Sequence, residues 1–164
     1  MAREAIRIIG INPGTRYLGI AVLDGSELLD WRIKTLTGRL SEKRIKKTIE
    51  IVSELIDRYE PNALAIKKLH PSRRTENLLR LSNKIKNFAR LKKLKVFQYS
   101  IKDIEKFYIV DEKLNKRNLF EALVRFYPEL YPELKKEQNH KNPYHTRIFE
   151  AVALASAYSH SQDL

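Results

Sequence analysis

Two apolar runs near the start of the chain constrain its fold more than any other feature. They cover residues 6–11 and 18–23, and a turn that contains Pro13 and Gly14 separates them. A second turn follows at residues 24–26. Short apolar runs joined by turns of this composition are typical of consecutive antiparallel β-strands. The segment therefore predicts that the chain opens with β-hairpins.

The remaining sequence predicts alternating helices and strands. The apolar run at 63–69 follows Pro61 and predicts a strand that is buried on both faces. Ser41 begins a helix whose apolar residues recur at helical spacing, and its basic residues are expected largely elsewhere on its surface: Lys43, Arg44, Lys46 and Lys47. The predicted strands are 5–12, 17–23, 28–36, 63–69 and 94–99. The later predicted helices are 75–92, 101–107, 115–126 and 145–160, with a Pro-rich loop at 128–143. The pattern predicts an α/β fold, with three antiparallel strands followed by parallel ones and helices on both faces.

The opening hairpin resembles that of the RuvC-type Holliday junction resolvases, which belong to the RNase H-like superfamily. In that family an Asp that binds the catalytic magnesium stands directly before Pro-Gly, where this chain has Asn12. The family has a Glu at the place of Lys67, and the segment from Glu150 resembles its terminal helix, with Glu150 at the last metal-binding acid. Three residues earlier, Arg147 stands where the family carries Asp or His. The matches keep the family's order along nearly the whole chain and imply a single RNase H-like domain over residues 1–164.

The former metal positions predict that the family's magnesium site is lost. Mg²⁺ requires carboxylate oxygens in a near-octahedral shell, and one Glu beside a Lys and an Arg does not supply them. The chain has no Cys, and its four His do not form metal-ligand pairs. We therefore expect no metal and no cofactor. Instead, the Lys67 amine should lie within about 4 Å of the Glu150 carboxylate, with Asn12 as a third partner.

The charge of the chain favours a nucleic-acid partner. Its 164 residues carry a net charge of +12, and neutralisation of phosphates supplies most non-specific affinity for nucleic acids. A basic surface that only maintains solubility is the alternative. The resemblance places one basic loop and one helix start close to the DNA. The residues expected to contact phosphates are Lys68, Arg73, Arg74, Lys116 and Arg117.

Three functions are compatible with these observations. The first is a catalytically inactive RuvC-like protein, a pseudo-nuclease that binds branched or structured DNA. The second is an active, magnesium-dependent endonuclease for Holliday junctions with a rearranged metal site, and the third is a protein-interaction subunit. Lysines at 84 and 86 replace small residues of the family's dimer helix, which leaves a homodimer uncertain. No apolar stretch approaches the length of a membrane span, and the sequence predicts a cytoplasmic location.

Overall fold

One mixed β-sheet forms the centre of the molecule. The computed structural model describes residues 6–36, 38–39, 41–72, 75–140 and 143–162. The five strands of these ranges lie in the order β3-β2-β1-β4-β5. β1 pairs antiparallel with β2, and β2 with β3, whereas β1 with β4 and β4 with β5 are parallel. The strands are β1 Arg7–Pro13, β2 Tyr17–Asp24, β3 Glu27–Thr35, β4 Ala63–Lys67 and β5 Lys95–Tyr99. The predicted α/β sheet is confirmed, and each predicted strand end lies within two residues of the observed one.

Helices cover both faces of this sheet. They are α1 Glu42–Tyr59, α2 Glu76–Leu91, α3 Ile101–Tyr108, α4 Lys116–Phe126, α5 Tyr131–His140 and α6 Pro143–Gln162. The predicted loop at 128–143 is wrong, because its first part is the short 3-10 helix Pro128–Leu130 and α5 follows directly. Proline is tolerated in the first turn of a helix, and each Pro of this segment stands there. Leu130 and Leu134 are buried and join the hydrophobic core.

The sheet separates two hydrophobic clusters. One lies between the sheet and α6, with contributions from α3, α4 and α5, and the other lies under α1 and α2. Gly10 in the central strand allows α6 to approach closely, since a Cβ there would lie 2.2 Å from the carbonyl oxygen of Ala151. The backbone of α6 thus rests directly on β1, and this contact sets the position of the first turns of α6.

The start of α1 departs from the prediction at one residue. Lys43, Lys46 and Lys47 are exposed as expected, but Arg44 is buried and retains only 6% of its accessible surface. Its Nη1 donates to the carbonyl of Gly38 at 2.9 Å. Helical spacing alone did not reveal this, because the hydrogen bond to Gly38 is a contact with a residue outside the helix.

Four strand ends meet at one edge of the sheet. β1, β3, β4 and β5 run in the same direction, so their carboxyl ends, at Pro13, Thr35, Lys67 and Tyr99, lie along this edge. We call it the C-terminal edge. In sheets of this kind, ligands commonly bind outside the carboxyl ends of the strands.

Across the described ranges, no helix combines the length and apolar content needed to cross a bilayer.

Candidate nucleic-acid site at the C-terminal edge

The two strand residues of the predicted site lie next to each other at this edge. Asn12 is fully buried near the end of β1, and Lys67 is the last residue of β4, the parallel neighbour of β1. Parallel pairing brings equivalent ends of two strands together, which explains why residues so distant in sequence meet. The Lys67 side chain is 25% exposed, so its stem is mostly covered while the amine lies at the rim.

The two helical residues come from the start of α6. Arg147 and Glu150 are three residues apart and therefore lie on the same side of the helix. Gly19 in β2 permits this placement, because a Cβ there would lie 2.4 Å from the carbonyl oxygen of Arg147. Glu150 retains 2% of its side-chain surface and faces the ends of β1 and β4. The structure thus brings together all four positions that the sequence singled out as former metal ligands.

These four side chains form one connected network. Lys67 Nζ lies 2.7 Å from Glu150 Oε2, which confirms the predicted ion pair. Asn12 Nδ2 donates to the same oxygen at 3.2 Å, and Arg147 Nη1 donates to Asn12 Oδ1 at 3.1 Å. The amide of Asn12 is thereby oriented, with its donor toward the carboxylate and its acceptor toward the guanidinium.

A second lysine reaches the same carboxylate from α4. Lys116 Nζ lies 3.4 Å from Glu150 Oε1, and its side chain is 56% exposed. Asn115 fixes the start of this helix, since its side chain accepts from the backbone N–H of Asn118 at 2.8 Å. The sequence predicted that Lys116 lies beside the site but did not predict this pairing. Two lysines therefore contact this one carboxylate, and Arg147 joins the network through Asn12.

The donor set does not fit magnesium. Mg²⁺ takes oxygen ligands in an octahedral shell and is usually held by carboxylates. Both oxygens of Glu150 face lysine amines, and Arg147 uses the oxygen of Asn12. Among the described residues, no group of three or more His, Asp or Glu comes together. The Lys67 ammonium lies beside Glu150, where a metal cation would have to bind. The surplus positive charge of the network favours the binding of an anion instead.

The other predicted nucleic-acid contacts surround this network only in part. Lys68 follows β4 directly and is exposed, and its backbone N–H donates to Tyr99 at 2.9 Å. Arg117 is 79% exposed beside Lys116 and pairs with Glu121 one turn later in α4. Arg73 and Arg74 lie outside the described residues. Thr75, directly after them, caps α2 by accepting from the backbone N–H of Leu78 at 3.1 Å.

Solved structures with the same fold include two of RuvC from Thermus thermophilus. The complex with a Holliday junction substrate superposes with a TM-score of 0.72 and 18% sequence identity, covering 96% of this chain and 95% of the other. A second structure of that protein gives a TM-score of 0.73 at 16% identity and covers 96% of each chain. Similarity at this level of identity establishes the shared fold.

Curated relatives and a family model are consistent with this fold. The RuvC crossover junction endodeoxyribonuclease of Hydrogenovibrio crunogenus is 27% identical over 57% of this chain, and that of Methylobacillus flagellatus is 38% identical over 38%. The matched segments span only 59% and 41% of those relatives. The model of the family "Crossover junction endodeoxyribonuclease RuvC" matches residues 8–155, a range that contains Asn12, Lys67, Arg147 and Glu150. The chain therefore belongs to the RuvC family.

Proposed function

We propose that this RuvC-family protein binds branched DNA without cleaving it by the family's metal-dependent reaction. One observation carries this proposal: the Lys67 amine lies 2.7 Å from the Glu150 carboxylate. The resemblance assigns both positions to former metal ligands. A lysine here supplies permanently the positive charge that a metal would supply on binding. It brings no exchangeable ligand positions and no bound water, so it offers no replacement for metal-activated water.

Surplus positive charge supports the binding part of the proposal. The network holds three cationic side chains, Lys67, Lys116 and Arg147, and one carboxylate, that of Glu150. Arg147 uses only one of its five N–H groups on described residues, and Lys116 is more than half exposed. These donors can contact the phosphate of a strand that crosses the edge. Thermus thermophilus RuvC, which shares the fold, was solved with a Holliday junction, and this favours branched DNA as the ligand class.

Further phosphate contacts would extend this surface on both sides. Lys68 continues it beyond β4, and Arg117 continues it along the start of α4. Arg73 and Arg74 are proposed as contacts from their place in the sequence, just before α2. Contacts of this kind position a nucleic acid without reading its bases, so we expect structure rather than sequence to determine binding.

A binding and cleavage assay on a labelled four-way junction tests the proposal. Native gels should show binding to the junction in preference to duplex and single strand, and the junction should stay intact with Mg²⁺ or Mn²⁺. Glu150→Gln provides the control for any cleavage observed. Cleavage that disappears in Glu150→Gln would be intrinsic to this site and would refute the proposal, whereas cleavage that persists would come from a contaminating nuclease.

Restoring the acids provides a test in the opposite direction. The triple change Asn12→Asp, Lys67→Glu and Arg147→Asp returns carboxylates to the three altered positions. This variant should bind Mg²⁺ in calorimetric titration, and its melting temperature should rise with added Mg²⁺ because the metal binds only the folded state. The unmodified chain should show neither effect. Circular dichroism would first establish that the variant folds, and the pair Asn12→Asp with Lys67→Glu offers a milder version.

A further inference from the structure

A pocket at the C-terminal edge collects arginines on the opposite face of the sheet from the network around Glu150. It has a volume of about 760 Å³ and lies between the β1–β2 turn, the end of β3 and the starts of α1 and α2. None of the described residues that line it is acidic. Those with polar side chains that bear on its chemistry are Thr15, Arg16, Arg39, Arg44, Thr75 and Asn77. We call this the arginine pocket.

Arg44 is the residue of this pocket that most requires a ligand. It is 94% buried, since it retains 6% of its surface, and only its Nη1 has a partner, the carbonyl of Gly38. Its Nε and Nη2 are buried without a hydrogen-bond partner among the described residues. Burial also lowers the pKa of Arg44. A buried cation with two unused donors is unfavourable, and a bound anion would supply both the acceptors and the charge.

Nearby acids do not neutralise the pocket. Glu42 precedes Arg44 by two residues, but its carboxylate pairs with Arg80 of α2. Glu76 opens α2 and is exposed, and it does not line the pocket. The exposed side chains of Arg16 and Arg39 have no acid beside them in the described lining. Three arginines thus line the pocket, and no acid is among its described lining residues.

We propose that the arginine pocket binds a phosphate group. Guanidinium N–H groups form a planar fork that matches pairs of phosphate oxygens. The hydroxyls of Thr15 and Thr75 add donors, and α2, a 16-residue helix, begins at the pocket wall. The first N–H groups of a helix lack partners within it and attract anions. Buried guanidinium, hydroxyls and helix start together form a site for a tetrahedral anion.

The position of the pocket indicates the source of this phosphate. Thr15 and Arg16 lie in the turn that follows the strand of Asn12, and Thr75 caps the helix after the loop that begins with Lys68. The pocket and the network around Glu150 therefore share two chain segments at one edge. A nucleic-acid strand held by the network would reach the pocket with a neighbouring part of its backbone. Only this assignment of the source rests on the proposed function, because phosphate binding itself does not require nucleic acid.

Titration with inorganic phosphate tests the pocket on its own. In amide NMR spectra, phosphate should produce saturable shifts at Gly38, Thr75 and Asn77, with chloride at equal ionic strength as the reference. Arg44→Met keeps most of the buried stem and should weaken phosphate binding roughly tenfold or more. Arg58→Met, which changes an exposed arginine further along α1, should leave the affinity unchanged. Absence of saturable shifts at these amides, or equal affinity in Arg44→Met, would overturn the proposal.

Two exposed arginines keep the test valid if Arg44→Met fails to fold. Arg16→Gln and Arg39→Gln should each weaken inorganic phosphate binding several-fold, and unchanged affinity in both would count against the pocket.

The same variants identify the source of the phosphate in a four-way junction assay. A salt slope lowered by about one unit per variant assigns the phosphate to the bound strand. If both variants keep the salt slope of the unmodified chain while the unmodified chain still binds inorganic phosphate, the ligand of the pocket is free phosphate. Failure of the unmodified chain to bind any nucleic acid would refute only the proposed function.

Discussion

The two faces of the C-terminal edge treat positive charge in opposite ways. On the α6 face, Lys67 and Lys116 both contact the carboxylate of Glu150, which is buried. On the face of α1 and α2, Arg44 is also buried, but its one hydrogen bond to a described residue is to a backbone carbonyl. In the first arrangement both oxygens of the buried carboxylate are paired, whereas in the second a buried cation leaves two donors without a described partner. We therefore expect substitutions to reduce mainly stability on the α6 face and mainly ligand affinity on the other.

Removing Lys67 should produce the largest effect on stability. Lys67→Ala leaves the Glu150 carboxylate buried with Lys116 as its remaining cation. Loss of one partner from a fully buried pair costs roughly 3–5 kcal/mol, and partial exposure of Lys67 with the help of Lys116 reduces this to about 2–3 kcal/mol. Urea denaturation followed by circular dichroism would measure the free energy of unfolding.

The matched control for this prediction removes both partners. Lys67→Ala with Glu150→Ala leaves no isolated buried charge, so it should cost much less than the sum of the two single changes. Lys102→Ala changes an exposed lysine that also pairs with a buried acid, Glu105, but outside the site. Strict additivity of the two site variants would show that the ion pair does not determine stability on this face.

Changes at the exposed lysines should have an intermediate effect, and mainly on binding, although Lys116→Ala also removes one partner of Glu150. Lys68→Ala and Lys116→Ala should weaken binding to DNA of every sequence and lower the salt slope by about one unit for each lost phosphate contact. Fluorescence anisotropy at several salt concentrations would give these slopes. Lys47→Ala, at an exposed position of α1, is the control for general surface charge. Equal slopes in all three variants would mean that the basic surface serves solubility.

Arg44→Met should have the smallest effect on stability, with the opposite sign. The change removes a buried cation with two unpaired donors and also removes the hydrogen bond to Gly38. Unsatisfied buried donors typically cost somewhat more than one such hydrogen bond contributes, so the ligand-free protein should gain about 1 kcal/mol. Thermal unfolding without phosphate would show this gain as a higher melting temperature. A clear loss of stability would place Arg44 among the residues that hold the fold together.

Sequence patterns were sufficient where local spacing determines the structure. Alternating apolar runs located the strands, and the order of matches predicted the pairing of Lys67 with Glu150. The prolines between 128 and 143 led to the wrong prediction of a loop. A proline can mark the end of the helix before it or stand in the first turn of the helix after it, and the sequence alone does not distinguish these positions. The four-residue spacing of Leu130 and Leu134, both of which are buried in the structure, is the signal that could have indicated a helical segment.

Two features of the edge depend on tertiary packing that no local pattern contains. Lys116 was expected near the site as a free point charge, but its contact with Glu150 exists because the start of α4 lies beside α6. Arg44 was assigned to the polar surface of α1, but it is buried and donates to the carbonyl of Gly38. Gly38 has a φ of +82°, a left-handed conformation that favours glycine. Arg44 lies on the same side of α1 as Thr48, which is also buried.

The packing of α6 also determines the order in which the molecule can become complete during synthesis. All five strands and both lysines that contact Glu150 precede α6 in the chain. A nascent chain that lacks α6 would therefore expose one apolar face of its sheet and carry cations whose only shared carboxylate has yet to be made. Such intermediates are prone to aggregation. Chains truncated before residue 143 should bind the dye ANS strongly, because the element that supplies both the cover and the counter-charge is translated after the whole sheet.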